Sequence, residues 1–355
     1  MGTEPIRCDI FCRVIDNYGD AAVCWRLAVQ LAREHGWTMR LWIDDATPLA
    51  RLAPDFRAGP VAVGDWSAAA DATPAQVVIE AFACQLPDRY VDAMAGAACP
   101  PVWINLEYLS AEDWIDGCHA LPSPHPRLPL TKYFFFPGFS AASGGLLRES
   151  DHAARRTAFE PGTFRQEFDL PASGPDTITI SLFCYPANPL LPTLFAQWAV
   201  SPSPILVLRP GYHGPDVRTG NLTLRALPFL PQARYDELLW ACDLNFVRGE
   251  DSFVRAQLAG KPLIWNIYPQ ANGAHLTKLG AFLARYAKVS LGGTAAGAAL
   301  AAFCEAWNGV GELDWAALAR QLPALSAAAR TWTEVLSELP DLANNLAKFC
   351  RQKLK

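Results

Sequence analysis

The sequence has little charge and no excess of basic residues. Its 355 residues include 30 Lys and Arg against 35 Asp and Glu, which gives a net charge of -5. Proteins that bind nucleic acid need a basic face to neutralise phosphates, so the composition argues against a nucleic-acid partner. Hydrophobic residues make up 51% of the chain and charged residues 18%, which favours a folded α/β protein with buried parallel strands.

The sequence also lacks a long apolar run and paired cysteines. No stretch is long and apolar enough to cross a bilayer, and residues 1–13 do not have the pattern of a secretory signal, so we expect no membrane association. The ten cysteines are scattered without a C-x-x-C pair or a nearby group of histidines. This pattern argues against zinc and favours buried thiols in a reducing cytoplasm.

Strands that alternate with helices predict two α/β halves, each Rossmann-like. In the first half, a strand over 8–15 leads through a polar turn into a helix over about 21–34. Further strands are predicted at 39–43, 76–82 and 102–106, and in the second half at 177–185, 205–208, 222–226, 244–247 and 263–265.

The region between the halves is predicted to be irregular. Residues 121–163 are rich in Pro, Gly and Ser and contain the aromatic run 133–139, which we interpret as packing between domains. The boundaries are therefore a first domain over 1–150, a linker over 151–173 and a second domain over 174–341. A last helix at about 342–355 is predicted to pack back on the first domain.

One strand-to-helix turn has the features of an anion site. The strand at 243–247 leads through Arg248 and Gly249 into Glu250, Asp251 and Ser252, which begin a helix over 253–259. The N–H groups at a helix start lack intrahelical partners, and together with a guanidinium they can hold a phosphate or diphosphate. The alternative is that the acidic residues only complement the helix dipole.

The turn after the first strand carries two carboxylates, Asp16 and Asp20. In open α/β sheets ligands bind beyond the carboxyl ends of the strands, and both turns fall there. Asp16 and Asp20 are therefore candidates for general acid–base chemistry. The alternative is structural, with Asp16 as a turn former and Asp20 as the N-cap of the helix that follows.

Three long motifs carry a resemblance to a known family. They are FCRVIDNYGD at 11–20, NFVRGEDSFVRAQ at 245–257 and KPLIWNIYPQ at 261–270. The chain resembles the EarP family of bacterial protein-arginine rhamnosyltransferases over nearly its whole length. The resemblance implies the GT-B architecture, with two Rossmann-like domains facing each other across a cleft. It also implies inverting transfer of L-rhamnose from dTDP-β-L-rhamnose to one arginine of elongation factor P, without a metal or cofactor.

The resemblance also implies roles for individual residues. The first domain binds the acceptor and the second binds the nucleotide sugar. Catalysis is assigned to Asp20, Asp16 and Glu250, and acceptor binding to Asp16, Asn17, Tyr18 and Asp20. Donor binding is assigned to Phe183, Tyr185, Phe229, Gln232, Tyr235, Arg248, Glu250, Asp251 and Ser252. At position 235 the family is expected to have Phe, and the ring face of Tyr235 keeps the ability to stack on a base.

Several alternatives remain open at this stage. Either Asp16 or Asp20 can be the base, and Glu250 can contact the sugar, the acceptor or only the helix dipole. A different GT-B enzyme with another acceptor, or a nucleotide-sugar epimerase, would use a similar donor site. A non-enzymatic nucleotide-sugar sensor or a chaperone of elongation factor P would need Asp20 only as a cap.

Overall fold

The protein has two compact units in the computed structural model, which describes residues 4–16, 18–171, 174 and 176–354. The first unit consists of Met1–Ser150 together with Leu339–Lys355, and the second of Asp151–Glu338. The chain therefore leaves the first unit once and returns to it at its C-terminal end.

The first unit is a sheet with connecting helices. Its strands and helices are β1 (Arg7–Cys12), α1 (Gly19–His35), β2 (Thr38–Ile43), α2 (Thr47–Leu52), β3 (Val61–Asp65), β4 (Val77–Ala81), α3 (Asp88–Ala95), β5 (Val102–Leu106), α4 (Trp114–Cys118), β6 (Pro122–Pro124) and β7 (Thr131–Phe135). Among the described residues these strands form one seven-stranded sheet in the order β3-β2-β1-β4-β5-β7-β6. All neighbours are parallel except β6 and β7.

The strand β1 is central because its side chains are apolar enough to be covered on both faces. Ile10, Phe11 and Cys12 are fully buried, and β1 pairs with β2 on one side and β4 on the other. Asp9 is a buried exception, and its carboxylate is paired with Arg40 at 2.6 Å. Buried parallel strands with helical crossovers place their carboxyl ends along one edge of the sheet, where the turn after β1 lies.

The second unit has the same plan. Its elements are α5 (His152–Ala158), α6 (Pro161–Glu167), β8 (Ile178–Leu182), α7 (Leu191–Ala199), β9 (Ile205–Pro210), β10 (Val217–Thr219), β11 (Leu222–Leu227), α8 (Gln232–Ala241), β12 (Leu244–Arg248), α9 (Asp251–Leu258), β13 (Leu263–Asn266), α10 (Ala274–Ser290), α11 (Ala295–Trp307), α12 (Trp315–Arg320) and α13 (Leu322–Glu338). Within the described part of this unit, six strands form a sheet in the order β10-β11-β9-β8-β12-β13, parallel except for β10 with β11.

Aromatic packing covers the second sheet. Phe246 of β12 is fully buried and lies edge-on against Trp198 at 5.6 Å and Trp307 at 5.2 Å between ring centroids. Buried aromatic rings contribute large apolar areas, so the tryptophans of this chain serve mainly as core residues. The turn that follows β12 is therefore held by a rigid strand.

The last helix, α14 (Leu342–Lys353), belongs to the first unit. Leu146 and Asp341 form a parallel bridge, and Asp341 caps α14 by accepting the N–H of Asn344 at 3.0 Å. Gly145 has a φ of 81°, and a Cβ at this position would lie 2.2 Å from the carbonyl oxygen of Pro340. Only glycine therefore lets the returning chain come this close.

The region predicted to be irregular contains regular structure. The prediction of an irregular connection was wrong for the strands Pro122–Pro124 and Thr131–Phe135 and for the helix His152–Ala158. The aromatic run begins inside β7, where Tyr133 and Phe135 both pack on Phe349 of α14, so these two rings pack within the first unit and not between domains. The stretch interpreted as a linker over 151–173 contains α5 and α6, and its residues 172 and 173 lie outside the described ones. The composition is misleading here because short helices and edge strands tolerate Pro and Gly at their ends.

Seven of the ten cysteines are buried, whereas Cys99 is exposed and Cys118 and Cys184 are partly buried, and all ten are free thiols. The expectation of buried thiols is thus right for most of them. Across residues 4–16, 18–171, 174 and 176–354, no helix is long and apolar enough to span a membrane. In the same ranges no three His, Cys, Asp or Glu side chains are arranged as metal ligands.

Candidate active site

Asp20 is fixed at the carboxyl end of β1. It is 2% exposed, and its Oδ2 accepts the backbone N–H groups of Ile15 and Asp16, each at 2.8 Å. The helix α1 begins at Gly19, with Tyr18 in the N-cap position and no side-chain cap. Asp20 therefore does not cap the helix, because its bonds run back to the turn before it and not forward to the first helical N–H groups.

The surroundings of Asp20 disfavour its charged form. Burial raises the pKa of Asp20 above the ordinary value of 3.8, and the nearby charge of Asp44 raises it further. The two backbone N–H groups and the hydroxyl of Tyr108 act in the opposite direction by stabilising the carboxylate. A carboxylate with a raised pKa is a stronger proton acceptor than an exposed one, which suits general-base chemistry.

The same turn contains the other predicted acceptor residues. Asp16 is half-buried, and a Cβ at position 19 would lie 2.7 Å from its Oδ2, so Gly19 makes room for this carboxylate. The hydroxyl of Tyr18 accepts a hydrogen bond from Arg51 at 3.1 Å. Asn17, also predicted to contact the acceptor, lies outside the described residues. The structure thus brings Asp16, Tyr18 and Asp20 together in one turn.

In the second unit Arg248 lies on aromatic rings at the end of β12. Its guanidinium carbon is 4.3 Å from the ring centroid of Phe183 and 5.0 Å from that of Tyr185, and its Nη1 donates to the carbonyl oxygen of Cys184 at 3.0 Å. Since β8 pairs with β12, residues 183–185 follow the neighbouring strand. The cation is thereby oriented by two ring faces and a carbonyl.

The turn after Arg248 differs in detail from the predicted one. Gly249 has a φ of 60°, Glu250 occupies the N-cap position without a side-chain cap, and α9 begins at Asp251, two residues before the predicted start. The hydroxyl of Ser252 accepts the N–H of Arg248 at 3.1 Å and also donates to the carbonyl oxygen of Arg248. Ser252 therefore fixes the junction between strand and helix.

Asp251 belongs to a buried polar network. Its Oδ2 accepts from Gln232 at 2.9 Å and from Nε of Arg255 at 3.0 Å, and Arg255 also donates to Asp236 at 2.9 Å. All of these side chains are buried. Asp251 thus holds the Gln232 amide and the first turn of α9 in place, which is a positioning role within the predicted donor site.

The remaining predicted donor residues are aromatic. Tyr235 is buried, and its ring lies edge-on to Phe183 at 5.7 Å between centroids, so both join Arg248 in one cluster. Burial raises the pKa of Tyr235, so its hydroxyl keeps its proton. Phe229 is half-buried and lies against Gly211, where a Cβ would come within 3.1 Å of the ring.

Two features of these strand ends escaped the sequence prediction. Tyr108 follows β5 and its hydroxyl lies 3.4 Å from Oδ1 of Asp20. Arg209, near the end of β9, has its guanidinium 3.2 Å from the ring centroid of Tyr212. Burial raises the pKa of the Cys184 thiol to about 11, while the charges of Arg248 and Arg209 oppose this shift. The rule that ligands bind at the carboxyl ends of strands would have identified Tyr108 and Arg209 if it had been applied to every strand.

Comparisons with known proteins agree with this description of the fold. The family model described as Elongation-Factor P (EF-P) rhamnosyltransferase EarP matches residues 8–351. A protein-arginine rhamnosyltransferase of Pseudomonas putida is 46% identical over 377 residues, which cover 98% of this chain and 99% of the relative.

Solved structures give the same result. One described as the structural basis for EarP-mediated arginine glycosylation of translation elongation factor EF-P is 35% identical, with a TM-score of 0.69, over 98% of this chain and 99% of its own. The spinosyn rhamnosyltransferase SpnG is 13% identical, with a TM-score of 0.54, over 97% of this chain and 100% of its own, which is a likeness of fold alone.

The two mainly parallel sheets and these likenesses define a glycosyltransferase of the GT-B class, as the sequence predicted. Within that class, the match over almost the whole length is decisive. The chain belongs to the EarP family and is a protein-arginine rhamnosyltransferase. The resemblance inferred from the three motifs is therefore confirmed.

Proposed function

We propose that this protein transfers L-rhamnose from dTDP-β-L-rhamnose to one arginine side chain of elongation factor P, with inversion at the anomeric carbon. The family model and the solved relative both name elongation factor P as the protein that is glycosylated. The observation that carries the proposed mechanism is the Asp20 carboxylate, which is buried and fixed at a strand end by two backbone N–H groups.

The acceptor needs such a carboxylate. An arginine guanidinium is protonated at physiological pH, and its delocalised nitrogens are poor nucleophiles. In our proposal, Asp20 orients the guanidinium and receives the proton from the attacking nitrogen as the bond from nitrogen to the anomeric carbon forms. Asp16, in the same turn, contacts the other side of the guanidinium, since a planar guanidinium presents donors on more than one edge.

The leaving group is assigned to the second unit. The bond from the anomeric carbon to the diphosphate oxygen breaks on the opposite face, and the diphosphate leaves with the electron pair. Arg248 and the N–H groups at the start of α9 neutralise its charge, so the proposed reaction uses no cofactor. The aromatic rings beside Arg248 are suited to stack on the thymine base.

Glu250 precedes the first residue of α9. We assign it to the rhamnose ring, where a carboxylate can accept a hydroxyl hydrogen bond or stabilise the positive charge that develops at the anomeric carbon. Phe229 and Gln232 are assigned to the nucleoside, with Gln232 held by Asp251. Because the proposed acceptor is a translation factor, the reaction is expected in the cytoplasm.

The test is the intact mass of unmodified elongation factor P after incubation with this protein and dTDP-β-L-rhamnose, followed by peptide mapping. The gain of one deoxyhexose on a single arginine is expected, and replacement of that arginine by lysine should abolish the gain. NMR of the glycopeptide should show an α-linked rhamnose, since inversion converts the β-linked donor. Donor binding without any gain would point to another acceptor and refute the proposed one, and a β-linked product would refute inversion.

A further inference from the structure

Tyr108 lies on a second aromatic ring at the carboxyl edge of the first sheet. Its ring is nearly parallel to that of Phe82, with an interplanar angle of 13° and 4.3 Å between centroids. Phe82 directly follows β4 and Tyr108 comes two residues after β5, and these neighbouring strands are parallel with Ala81 opposite Leu106. The stack therefore rests on two rigid strand ends.

The backbone that presents Phe82 has an uncommon conformation. Phe82 and Ala83 have φ values of 56° and 52°, in the left-handed region that bulky residues seldom adopt. The N–H of Phe82 donates to the carbonyl oxygen of Leu106 at 2.7 Å, which fixes this conformation against the neighbouring strand. Such conformations cost free energy and are found mainly where the position of a side chain matters for function.

The hydroxyl of Tyr108 lies near Oδ1 of Asp20, whereas the backbone N–H groups of the turn donate to Oδ2. The distance from the Tyr108 hydroxyl to Oδ1 is 3.4 Å. This distance is long for a hydrogen bond between oxygens, but such contacts often shorten when the substrate binds.

We propose that Tyr108 is a positioning residue which, held by its stack on Phe82, orients the Asp20 carboxylate for the incoming arginine. The inference rests on the proposed role of Asp20 as the base. Tyr108 takes no part in bond formation, so its contribution is to the direction and ionisation of the carboxylate. With Oδ2 held by the turn and Oδ1 by the tyrosine, the carboxylate has one orientation.

The ionisable side chains of Asp44 and Cys24 do not help to ionise the Asp20 carboxylate. Asp44, which follows β2, raises the pKa of Asp20 by charge repulsion, and Asp16 contributes its backbone N–H. Cys24, one turn later on α1, is kept as a neutral thiol because burial raises its pKa well above the ordinary value. The Tyr108 hydroxyl lowers the pKa of Asp20, so it favours the ionised base.

The test is the pH profile of kcat for Tyr108→Phe, which keeps the ring stack and removes only the hydroxyl. Activity should increase with pH as Asp20 ionises, and in the variant this acid limb should move to higher pH by up to about one unit. The KM for the donor should stay unchanged. Tyr133→Phe, which removes a hydroxyl from β7 where the ring packs on Phe349, is the control and should leave the limb in place.

A second variant tests the stack. Phe82→Leu should move the acid limb in the same direction, because Tyr108 would lose the ring that orients it. An unchanged acid limb in Tyr108→Phe would overturn the inference, whereas full activity of Asp20→Asn would overturn the proposed base itself. The two failures are therefore distinguishable. Thermal unfolding of each variant must match that of the parent for the comparison to count.

Discussion

Replacement of Asp20 by asparagine separates the chemistry of this side chain from its structural role. Oδ2 of Asp20 accepts two backbone N–H groups at 2.8 Å, and an asparagine carbonyl oxygen can accept both. Asp20→Ala would instead remove two hydrogen bonds to a charged group, each contributing about 1.5–3 kcal/mol. A loss of activity in that variant would therefore have two causes, the lower stability of the fold and the loss of the base. Asparagine is therefore the informative substitution.

The expected loss of activity follows from the role of a general base. Such groups contribute about 10²- to 10⁴-fold, so kcat of Asp20→Asn should fall by that factor while dTDP binding is unchanged. The same substitution is not expected to lower the stability of the protein at neutral pH. Because the folded-state pKa is above the ordinary value of 3.8, ionisation of Asp20 costs stability as the pH increases through the folded pKa. The variant should be at least as stable as the parent at neutral pH, and this advantage should vanish below about pH 3.8.

Two measurements check this reasoning. Transfer rates come from the mass of elongation factor P over time, and stability comes from urea unfolding at neutral and acidic pH. Full activity in a folded Asp20→Asn variant would refute the assignment of Asp20 as the base and would leave Asp16 as the candidate. A variant that is inactive but clearly less stable at neutral pH would contradict the prediction that the ionised Asp20 carboxylate destabilises the folded protein.

Three further changes have expected outcomes. Arg248→Ala should weaken dTDP binding about 10- to 100-fold by calorimetry, since it removes a charge-assisted contact, and unchanged affinity would move the diphosphate site elsewhere. Arg255→Met should lower the free energy of unfolding by about 3–5 kcal/mol, because its two aspartate partners stay buried, and a loss under 1 kcal/mol in urea unfolding would contradict this. Gly145→Ala should destabilise the protein and speed amide exchange in α14, since the new Cβ would meet the Pro340 carbonyl. Gly162→Ala, where a Cβ has open space, is its control.

Local patterns were sufficient to predict much of the fold. Buried parallel strands are short and continuously apolar, so β5 was predicted with its observed bounds, and β12 was predicted to within one residue at each end. The edge strand β3 was missed because it is partly exposed and ends in Gly64 and Asp65, which reads as a turn. The helix starts were misplaced by about two residues, since cap geometry depends on side-chain bonds that composition does not specify.

The sequence by itself determined the class of fold, the family and the position of the two turns, because each of these depends on residues close together in the chain. Only the tertiary structure decided what each side chain contacts. Asp20 meets Tyr108 across 88 positions, Arg248 meets the carbonyl of Cys184 across 64, and Gln30 meets Asp341 across 311. Such contacts depend on the order and register of the strands, which bring distant residues to one edge of a sheet and which short-range patterns do not encode.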